Sequence, residues 1–135
     1  MIAFIVELDD KPGELARVTE AIAQKGINIT GFSGATAGGR GGVMIVTNDE
    51  EGTRRALADA GCQVTEAELV TIALEHKPGS LAAAARTLAD AGINVQGALP
   101  VGMSEGKVSI AFATDQPAKA RELIGSAEAA GIGVG

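Results

Sequence analysis

Residues 8–31 read LDDKPGELARVTEAIAQKGINITG, and residues 74–97 read LEHKPGSLAAAARTLADAGINVQG. The two stretches share Lys-Pro-Gly, a following Leu-Ala pair and Gly-Ile-Asn at the same spacing, with an offset of 66 residues. Self-similarity at a fixed spacing is typical of an internal repeat. The chain is therefore predicted to be a duplication, with one domain at residues 1–69 and a second at residues 70–135.

The match extends beyond the quoted stretches. At the same offset, residues 5–57 align with residues 71–123 without a gap, and the identities fall in blocks rather than scattered along the alignment. One of the later identities pairs Asp49 with Asp115. The gapless alignment predicts that the two halves have equivalent elements throughout.

Both halves show the same alternation of strand-like apolar runs and helical spacing. The predicted elements of the first half are strand 2–8, a helix with Pro12 at its first position that ends at Gly26, strand 27–32, a glycine loop at 38–42, strand 43–47, a helix capped by 48–50 that runs to about 60, and strand 62–69. Those of the second half are strand 70–75, helix 79–91, strand 93–99, strand 107–113, helix 116–130 and a short strand at 132–134. The order βαββαβ, found twice, predicts an α+β fold of two ferredoxin-like units, each an antiparallel sheet with helices on one face.

Several predicted strands are apolar on both faces. Phe4-Ile5-Val6 and Val43–Val46 are nearly unbroken apolar runs, whereas a strand with one solvated face alternates apolar and polar residues. Because the helices cover only one face, we expect the other face to pack on a second sheet or subunit. A unit of this size buries only about 60% of its unfolded surface. The halves are therefore not expected to stand alone, and a homo-oligomer, most simply a homodimer, is predicted.

Composition excludes several classes of function. The net charge of −6 argues against binding to nucleic acid or to an anionic membrane surface, and the absence of Trp and Tyr leaves no base-stacking platform. The single cysteine, Cys62, excludes an internal disulfide and fits a reducing compartment. The apolar run at the N-terminus is too short for a signal peptide or a membrane span. A soluble, acidic, cytoplasmic protein without cofactor is expected.

The repeated Lys-Pro-Gly, at 11–13 and 77–79, stands where a strand passes into a helix. The N-terminus of a helix offers unpaired backbone N–H groups and a positive dipole end, both of which suit a carboxylate. Gly13 and Gly79 have no side chain, so a ligand can approach the backbone closely. The alternative is that Pro and Gly only mark the start of the helix.

Asn28 and Asn94 follow Gly-Ile in each half. If the second strand lies beside the first, each Asn lies near the Lys-Pro-Gly turn of its own half, where its amide offers a donor and an acceptor to a zwitterion. The alternative is that each Asn only stabilises the turn after Gly. The residue before Lys-Pro-Gly differs between the halves: it is Asp10 in the first and His76 in the second. For Asp10 the alternatives are an acceptor for the ammonium group of a ligand and a helix cap. For His76 they are a ligand contact, a group that responds to mild acid and an exposed loop residue.

Patterns that indicate catalysis or metal binding are missing from the sequence. One His, one Cys in an apolar strand and no Gly-x-Ser-x-Gly leave no evident nucleophile and base. No Cys-x-x-Cys or His-x-x-x-His spacing indicates a metal site. We therefore predict a protein that is not an enzyme.

These motifs resemble those of a tandem ACT-domain protein, a small-molecule regulatory module of amino-acid metabolism. The resemblance rests on two runs, each with the Gly-Ile-Asn that follows it, namely Asp10-Lys11-Pro12-Gly13-Glu14-Leu15 and His76-Lys77-Pro78-Gly79-Ser80-Leu81. It implies that a free amino acid binds between two such domains. The contacting positions that it implies are Asp10, Gly13, Glu14, Leu15 and Asn28, and again His76, Gly79, Ser80, Leu81 and Asn94. The sequence departs from the family at Asp10, which places negative charge near a carboxylate site, and at the short last strand, 131–135.

The resemblance implies a regulatory protein in which a ligand that contacts two domains favours the arrangement that makes both sets of contacts. An alternative is a regulatory subunit of an amino-acid biosynthetic enzyme, similar to the small subunit of acetolactate synthase, that acts mainly through protein contacts. A small hydrolase similar to acylphosphatase is disfavoured because no phosphate loop with paired Arg and Asn is present. Recognition of RNA is disfavoured by the lack of aromatic residues and positive charge.

Overall fold

The computed structural model describes the backbone of residues 1–129 and the side chains of residues 1–124. The chain divides into two compact units, Met1–Ala67 (the first unit) and Glu68–Gly135 (the second unit). The predicted domain boundary, between residues 69 and 70, stays a prediction. Within the described residues the elements are, in chain order, β1 (Ile2–Asp9), α1 (Glu14–Ala23), β2 (Ile29–Ala37), β3 (Arg40–Thr47), α2 (Glu50–Asp59), β4 (Val64–Glu75), α3 (Ser80–Asp90), β5 (Val95–Ser104), β6 (Lys107–Thr114) and α4 (Pro117–Ala129).

In the first unit, β3 is hydrogen-bonded on both sides. It pairs antiparallel with β1, where Phe4 is opposite Ile45, and antiparallel with β2, where Phe32 is opposite Ile45. At the start of β4, the backbone N–H of Glu7 donates to the carbonyl oxygen of Gln63 at 3.2 Å. The sheet order in this unit is therefore β2-β3-β1, and β3 separates β2 from β1.

The second unit repeats this arrangement. Strand β6 pairs antiparallel with β4, where Leu74 is opposite Val108, and with β5, where Ala98 is opposite Phe112. The sheet order is β4-β6-β5. The predicted α+β fold with ferredoxin-like units is confirmed.

Each unit has its own apolar core between one face of its sheet and its two helices. In the first unit, Val18 and Ile22 of α1 and Leu57 of α2 pack with Phe4 and Ile45 of the sheet, and all five are fully buried. In the second unit the core is formed by Val70, Ile72, Leu74, Ala84, Leu88, Ile93, Phe112, Ala120 and Ile124. Both helices of a unit thus pack on the same face, as predicted. The helices pack there because their apolar residues recur every three or four positions and form one stripe.

The gapless alignment of the two halves is wrong beyond β5. Strand β5 has a register shift between Pro100 and Gly102, which adds one residue relative to β2. The residue numbers of equivalent core positions therefore differ by 66 before this bulge and by 67 after it. Phe4 corresponds to Val70, whereas its strand partner Ile45 corresponds to Phe112. The sequence identity between Asp49 and Asp115 does not mark equivalent positions.

Several predicted element boundaries also change. Helix α1 begins at Glu14, after Gly13, so Pro12 lies in the turn rather than at the first helical position. Strand β3 begins at Arg40, which leaves only Gly38 and Gly39 between β2 and β3. The strands predicted at 62–69 and 70–75 are one continuous strand, β4, because no turn residue interrupts the apolar pattern. The strand predicted at 132–134 lies outside the described residues.

Candidate functional site

The two strand–helix turns have the same backbone conformation. Gly13 precedes α1 with φ 91° and ψ −11°, and Gly79 precedes α3 with φ 91° and ψ −15°. Glycine is required there because a residue with a Cβ rarely adopts a positive φ. A Cβ built on either glycine meets no atom within 4 Å. The space beside each turn backbone is therefore open.

A pocket of about 290 Å³ lies beside the turn of the second unit. Its lining residues are Leu74, Glu75, His76, Lys77, Ser80, Leu81, Val108 and Ile110. Four of the eight are aliphatic, Glu75 is the last residue of β4, and the other three belong to the turn or to the first residue of α3. The volume is at the lower end of the range of about 300–1,000 Å³ that is typical of ligand pockets, so the pocket suits a small metabolite.

The first unit has a pocket of about 300 Å³ in the corresponding place. Its lining residues are Leu8, Leu15, Phe32, Gly34, Ala35, Thr36, Gly42 and Val43. Three of them have equivalents in the pocket of the second unit, namely Leu8 for Leu74, Leu15 for Leu81 and Val43 for Ile110. The pocket is thus duplicated with the fold, but the first copy is lined by none of the residues 9–14.

Ser80 is the most unusual side chain at the second turn. It is 3% exposed, it lines the pocket, and its hydroxyl oxygen makes no hydrogen bond with any residue that the structure describes. A buried hydroxyl without a partner costs about 1–3 kcal/mol. Such a group is rare in folded proteins and is explained when a bound molecule supplies the missing hydrogen bond.

The equivalent residue in the first unit, Glu14, has its partners within the protein. One carboxylate oxygen accepts the backbone N–H of Asp9 at 3.2 Å, and the other accepts Nε of Arg17 at 3.1 Å. The hydrogen bond from Arg17, supported by that from Asp9, lowers the pKa of Glu14 below its ordinary value. Glu14 and Arg17 line a separate polar pocket of about 270 Å³. The side chain of Glu14 therefore has its hydrogen bonds and its ion pair within the first unit.

At the second turn the charges are paired in another way. Lys77 Nζ lies 2.8 Å from a carboxylate oxygen of Glu75, and this contact lowers the pKa of Glu75. The backbone N–H of His76 donates to the carbonyl oxygen of Gly106 at 2.9 Å, which ties the turn to the β5–β6 hairpin. The imidazole of His76 is exposed. Ser80 therefore lines a pocket in which the nearby ammonium of Lys77 and carboxylate of Glu75 are already paired with each other.

Neither Asn28 nor Asn94 lies near the turn of its own unit, so that part of the prediction is wrong. The turn follows Asp9, which is opposite Arg40 at one end of β3, whereas Ile29, next to Asn28, is opposite Thr47 at the other end. Seven residues of strand separate the two places by about 23 Å, at about 3.3 Å per residue. The prediction placed β2 beside β1, but β3 lies between them.

Both asparagines contact the chain at the start of the second helix of their unit. The backbone N–H of Asn28 donates to Oδ1 of Asn48 at 3.1 Å, and that of Asn94 donates to Oδ1 of Asp115 at 2.9 Å. The backbone N–H groups of Asn48 and Asp115 donate back to the carbonyl oxygens of Asn28 and Asn94. Within its own unit, each Asn thus fixes a loop through its backbone, and its side chain is exposed.

The remaining predicted site residues lie at the turns. Asp10, Gly13, Glu14 and Leu15 are in or directly after the first turn, and His76, Gly79, Ser80 and Leu81 are at the second. The pocket walls were not predicted from the sequence; they are formed chiefly by Leu74, Val108 and Ile110. Leu74 had a visible signal, since it repeats Leu8 at the offset of 66 residues.

Two further properties concern the described residues only. They contain no group of three or more His, Cys, Asp or Glu side chains arranged to hold a metal ion. None of their helices combines the length and the apolar character that crossing a membrane requires.

Comparison with known proteins agrees with this fold. A family model described as "ACT domain" matches residues 2–61, and one described as "ACT domain pair" matches residues 45–130. No match was found among curated proteins.

The solved structure of protein BT0572 from Bacteroides thetaiotaomicron is similar with a TM-score of 0.74 and 21% identity, over 94% of this chain and 88% of that one. The ligand-free regulatory subunit of aspartate kinase from Thermus thermophilus is similar with a TM-score of 0.63 and 19% identity, over 93% of this chain and 91% of that one. At these identities the two structures support the fold alone.

Proposed function

Because the chain belongs to the ACT-domain family, we propose that it is a non-catalytic regulatory protein that binds a free amino acid beside the turn between β4 and α3. We further propose that binding is passed on as a change in how ACT units pack. The observation that carries the proposal is Ser80, which lines an open pocket and whose buried hydroxyl has no partner among the described residues. An amino acid supplies both the polar group that this hydroxyl lacks and a side chain for the pocket.

The chemistry of the pocket suits a zwitterion with its carboxylate at the start of α3. The first turn of a helix has N–H groups without intrahelical partners and the positive end of the dipole, and both favour an anion. Gly79 leaves the backbone there open. An affinity at the level of metabolite concentrations, about 1 μM to 1 mM, needs about −8 to −4 kcal/mol. A few hydrogen bonds and one buried side chain supply a free energy of that size.

The contacts of the pocket support a binding role rather than catalysis. Ser80 and His76 line the same pocket, but the Ser80 hydroxyl makes no hydrogen bond with His76 or any other described residue. A serine nucleophile needs a base within hydrogen-bond reach. The pair therefore lacks the geometry of an activated serine.

The experiment is a thermal-shift screen with each of the twenty amino acids at about 10 mM, read by calorimetry because the chain has no Trp. A ligand present at about 100 times its Kd stabilises the folded state by about 2.7 kcal/mol, which raises the Tm by several degrees. The D-enantiomers serve as matched controls and are expected to give a smaller shift. A folded protein whose Tm none of the twenty changes would contradict the proposal.

A second candidate function is a regulatory subunit that acts mainly through protein contacts. Phe32 is 65% exposed and Leu15 is 47% exposed at the pocket of the first unit, and exposed apolar patches often mark protein interfaces. Purification of the tagged chain separates the two candidates. A catalytic subunit that co-purifies favours the second candidate, whereas an isolated homodimer by light scattering favours the first.

A further inference from the structure

The two turn pockets share a backbone and differ in chemistry. We propose that only the pocket of the second unit receives the ligand, and that this ligand is an amino acid with an aliphatic side chain, such as leucine, isoleucine or valine. The proposal rests on the proposed function, since it names the unit and the class of amino acid. Three observations carry it: the wall of the pocket, its polar end and the charge of the turn.

The first observation is the wall of the second pocket. Leu74 is 2% exposed, and Leu81 is 57% exposed, so the wall has a buried floor and an open rim. Val108 and Ile110 complete it. A charged side chain placed against this wall loses water without gaining a partner, which is costly. An aliphatic side chain gains about 25 cal/mol for each Å² that it removes from water.

The second observation is the polar end of each pocket. In the second unit Ser80, whose hydroxyl has no partner among the described residues, lines the same pocket as the aliphatic wall, so one molecule in this pocket contacts both the serine and the wall. In the first unit the equivalent Glu14 is bound to Arg17 and to the backbone of Asp9, and it lines a different pocket. Polar and apolar contacts are therefore separated in the first unit and combined in the second.

The third observation is charge. Of the three carboxylates at the first turn, that of Glu14 is paired with Arg17, whereas those of Asp9 and Asp10 are in no ion pair with a described residue and repel the carboxylate of an amino acid. At the equivalent residues of the second turn, 75, 76 and 80, the one carboxylate is that of Glu75, and it is paired with Lys77. The incoming carboxylate thus meets less repulsion at the second turn.

The test is isothermal titration of the full chain with L-leucine, L-isoleucine and L-valine, and with L-lysine and L-glutamate for comparison. We expect one bound molecule per chain for at least one aliphatic amino acid, and a Kd at least about tenfold higher for the charged ones, equivalent to about 1.4 kcal/mol. Two bound molecules per chain, or tighter binding of a charged amino acid, overturn the proposal. If an amino acid raises the Tm in the screen but binds at two molecules per chain, or is a charged one, the proposed function stands and this inference fails. If none of the twenty amino acids changes the Tm, both the proposed function and this inference fail.

Leu81→Glu and Leu15→Glu are a matched pair for assigning the unit. Both leucines lie one residue after the start of a helix and are exposed, so both variants are expected to fold. Leu81→Glu is expected to raise the Kd for the bound aliphatic amino acid at least about tenfold, and Leu15→Glu to change it less than about twofold. A loss of binding in Leu15→Glu equal to that in Leu81→Glu overturns the assignment.

Ser80→Ala separates a ligand contact from a structural role. Removing a buried hydroxyl that has no partner is neutral or stabilising for the protein without ligand. The same change removes a hydrogen bond to the ligand, so we expect an unchanged or higher Tm without ligand together with a severalfold higher Kd. A Ser80→Ala protein that binds the aliphatic amino acid as tightly as the wild type overturns the role of Ser80.

Discussion

The positive φ at Gly79 leads to a measurable cost for any side chain at this position. A Cβ at Gly79 meets no atom within 4 Å, so Gly79→Ala introduces no clash and its effect comes from the backbone conformation alone, φ 91°. A non-glycine residue in the left-handed region costs about 1–2 kcal/mol. We expect Gly79→Ala to lower the free energy of unfolding by that amount.

The chain supplies a matched control in Gly102. A Cβ at Gly102 also meets no atom within 4 Å, but Gly102 is not among the glycines with a positive φ. Gly102→Ala is therefore expected to leave stability unchanged or to raise it by about 0.4–1 kcal/mol, because alanine reduces the entropy of the unfolded chain. Asparagine tolerates the left-handed region better than alanine, so Gly79→Asn is expected to lose less stability than Gly79→Ala.

The assay is urea denaturation followed by far-ultraviolet circular dichroism, since the chain has no Trp. The three variants and the wild type are compared at equal m-values, so that midpoints report stability. A Gly79→Ala protein as stable as the wild type would refute the account of the turn. A loss in Gly102→Ala equal to that in Gly79→Ala would show that the loss does not depend on φ.

Three further changes test other parts of the structure. Leu88→Ala, at a core position that is 1% exposed, is expected to cost about 2–5 kcal/mol, whereas Leu81→Ala, at a position that is 57% exposed, costs much less in the same denaturation assay. Thr53→Val removes a buried hydroxyl that donates to a backbone carbonyl at 2.7 Å and contacts a second threonine hydroxyl, and it is expected to cost about 1–3 kcal/mol; an unchanged urea midpoint would contradict this. The hydrogen bond from Arg54 lowers the pKa of Glu66 below its ordinary value of 4.5. The pair therefore stabilises the folded protein at any pH above that ordinary value, and the stabilisation is lost as pH falls through the lower pKa of the folded state. The Tm difference between the wild type and Glu66→Gln is therefore expected to shrink as pH falls below the ordinary pKa of Glu, and a difference that does not change with pH would contradict the role of the ion pair.

The repeat in the sequence was sufficient to predict the fold of each unit. Apolar residues at strand and helix spacing determine which faces are buried, and they occur twice. The bulge in β5 was not predictable in the same way, because a bulge adds one residue without a break in the apolar pattern. Pro100 and Gly102 are a weak signal of it, since both residues disfavour a regular strand.

The position of Asn28 shows what local sequence leaves open. A residue at the start of a strand lies at one end of a sheet, but which strand it neighbours depends on pairings between residues far apart in the chain. Here β2 pairs with β3 and not with β1, so Asn28 and the first turn lie at opposite ends of the unit. The turn residues themselves were predicted because they are contiguous in sequence, and the pocket walls were missed because they come from β4 and β6.

The two turns share the residue that the fold requires and differ in the residue that follows it. Gly13 and Gly79 adopt the same φ, so glycine at this position is required by the turn whether or not a ligand binds. The shared Lys-Pro-Gly is therefore evidence for the fold more than for a site. The next residue differs between the units: Glu14 has internal partners in the first, whereas Ser80 in the second has no partner among the described residues. A buried unpaired hydroxyl is a cost to the folded protein, and the first unit avoids it. The proposal that the second turn binds the ligand therefore rests on the difference between the two repeats rather than on their identity.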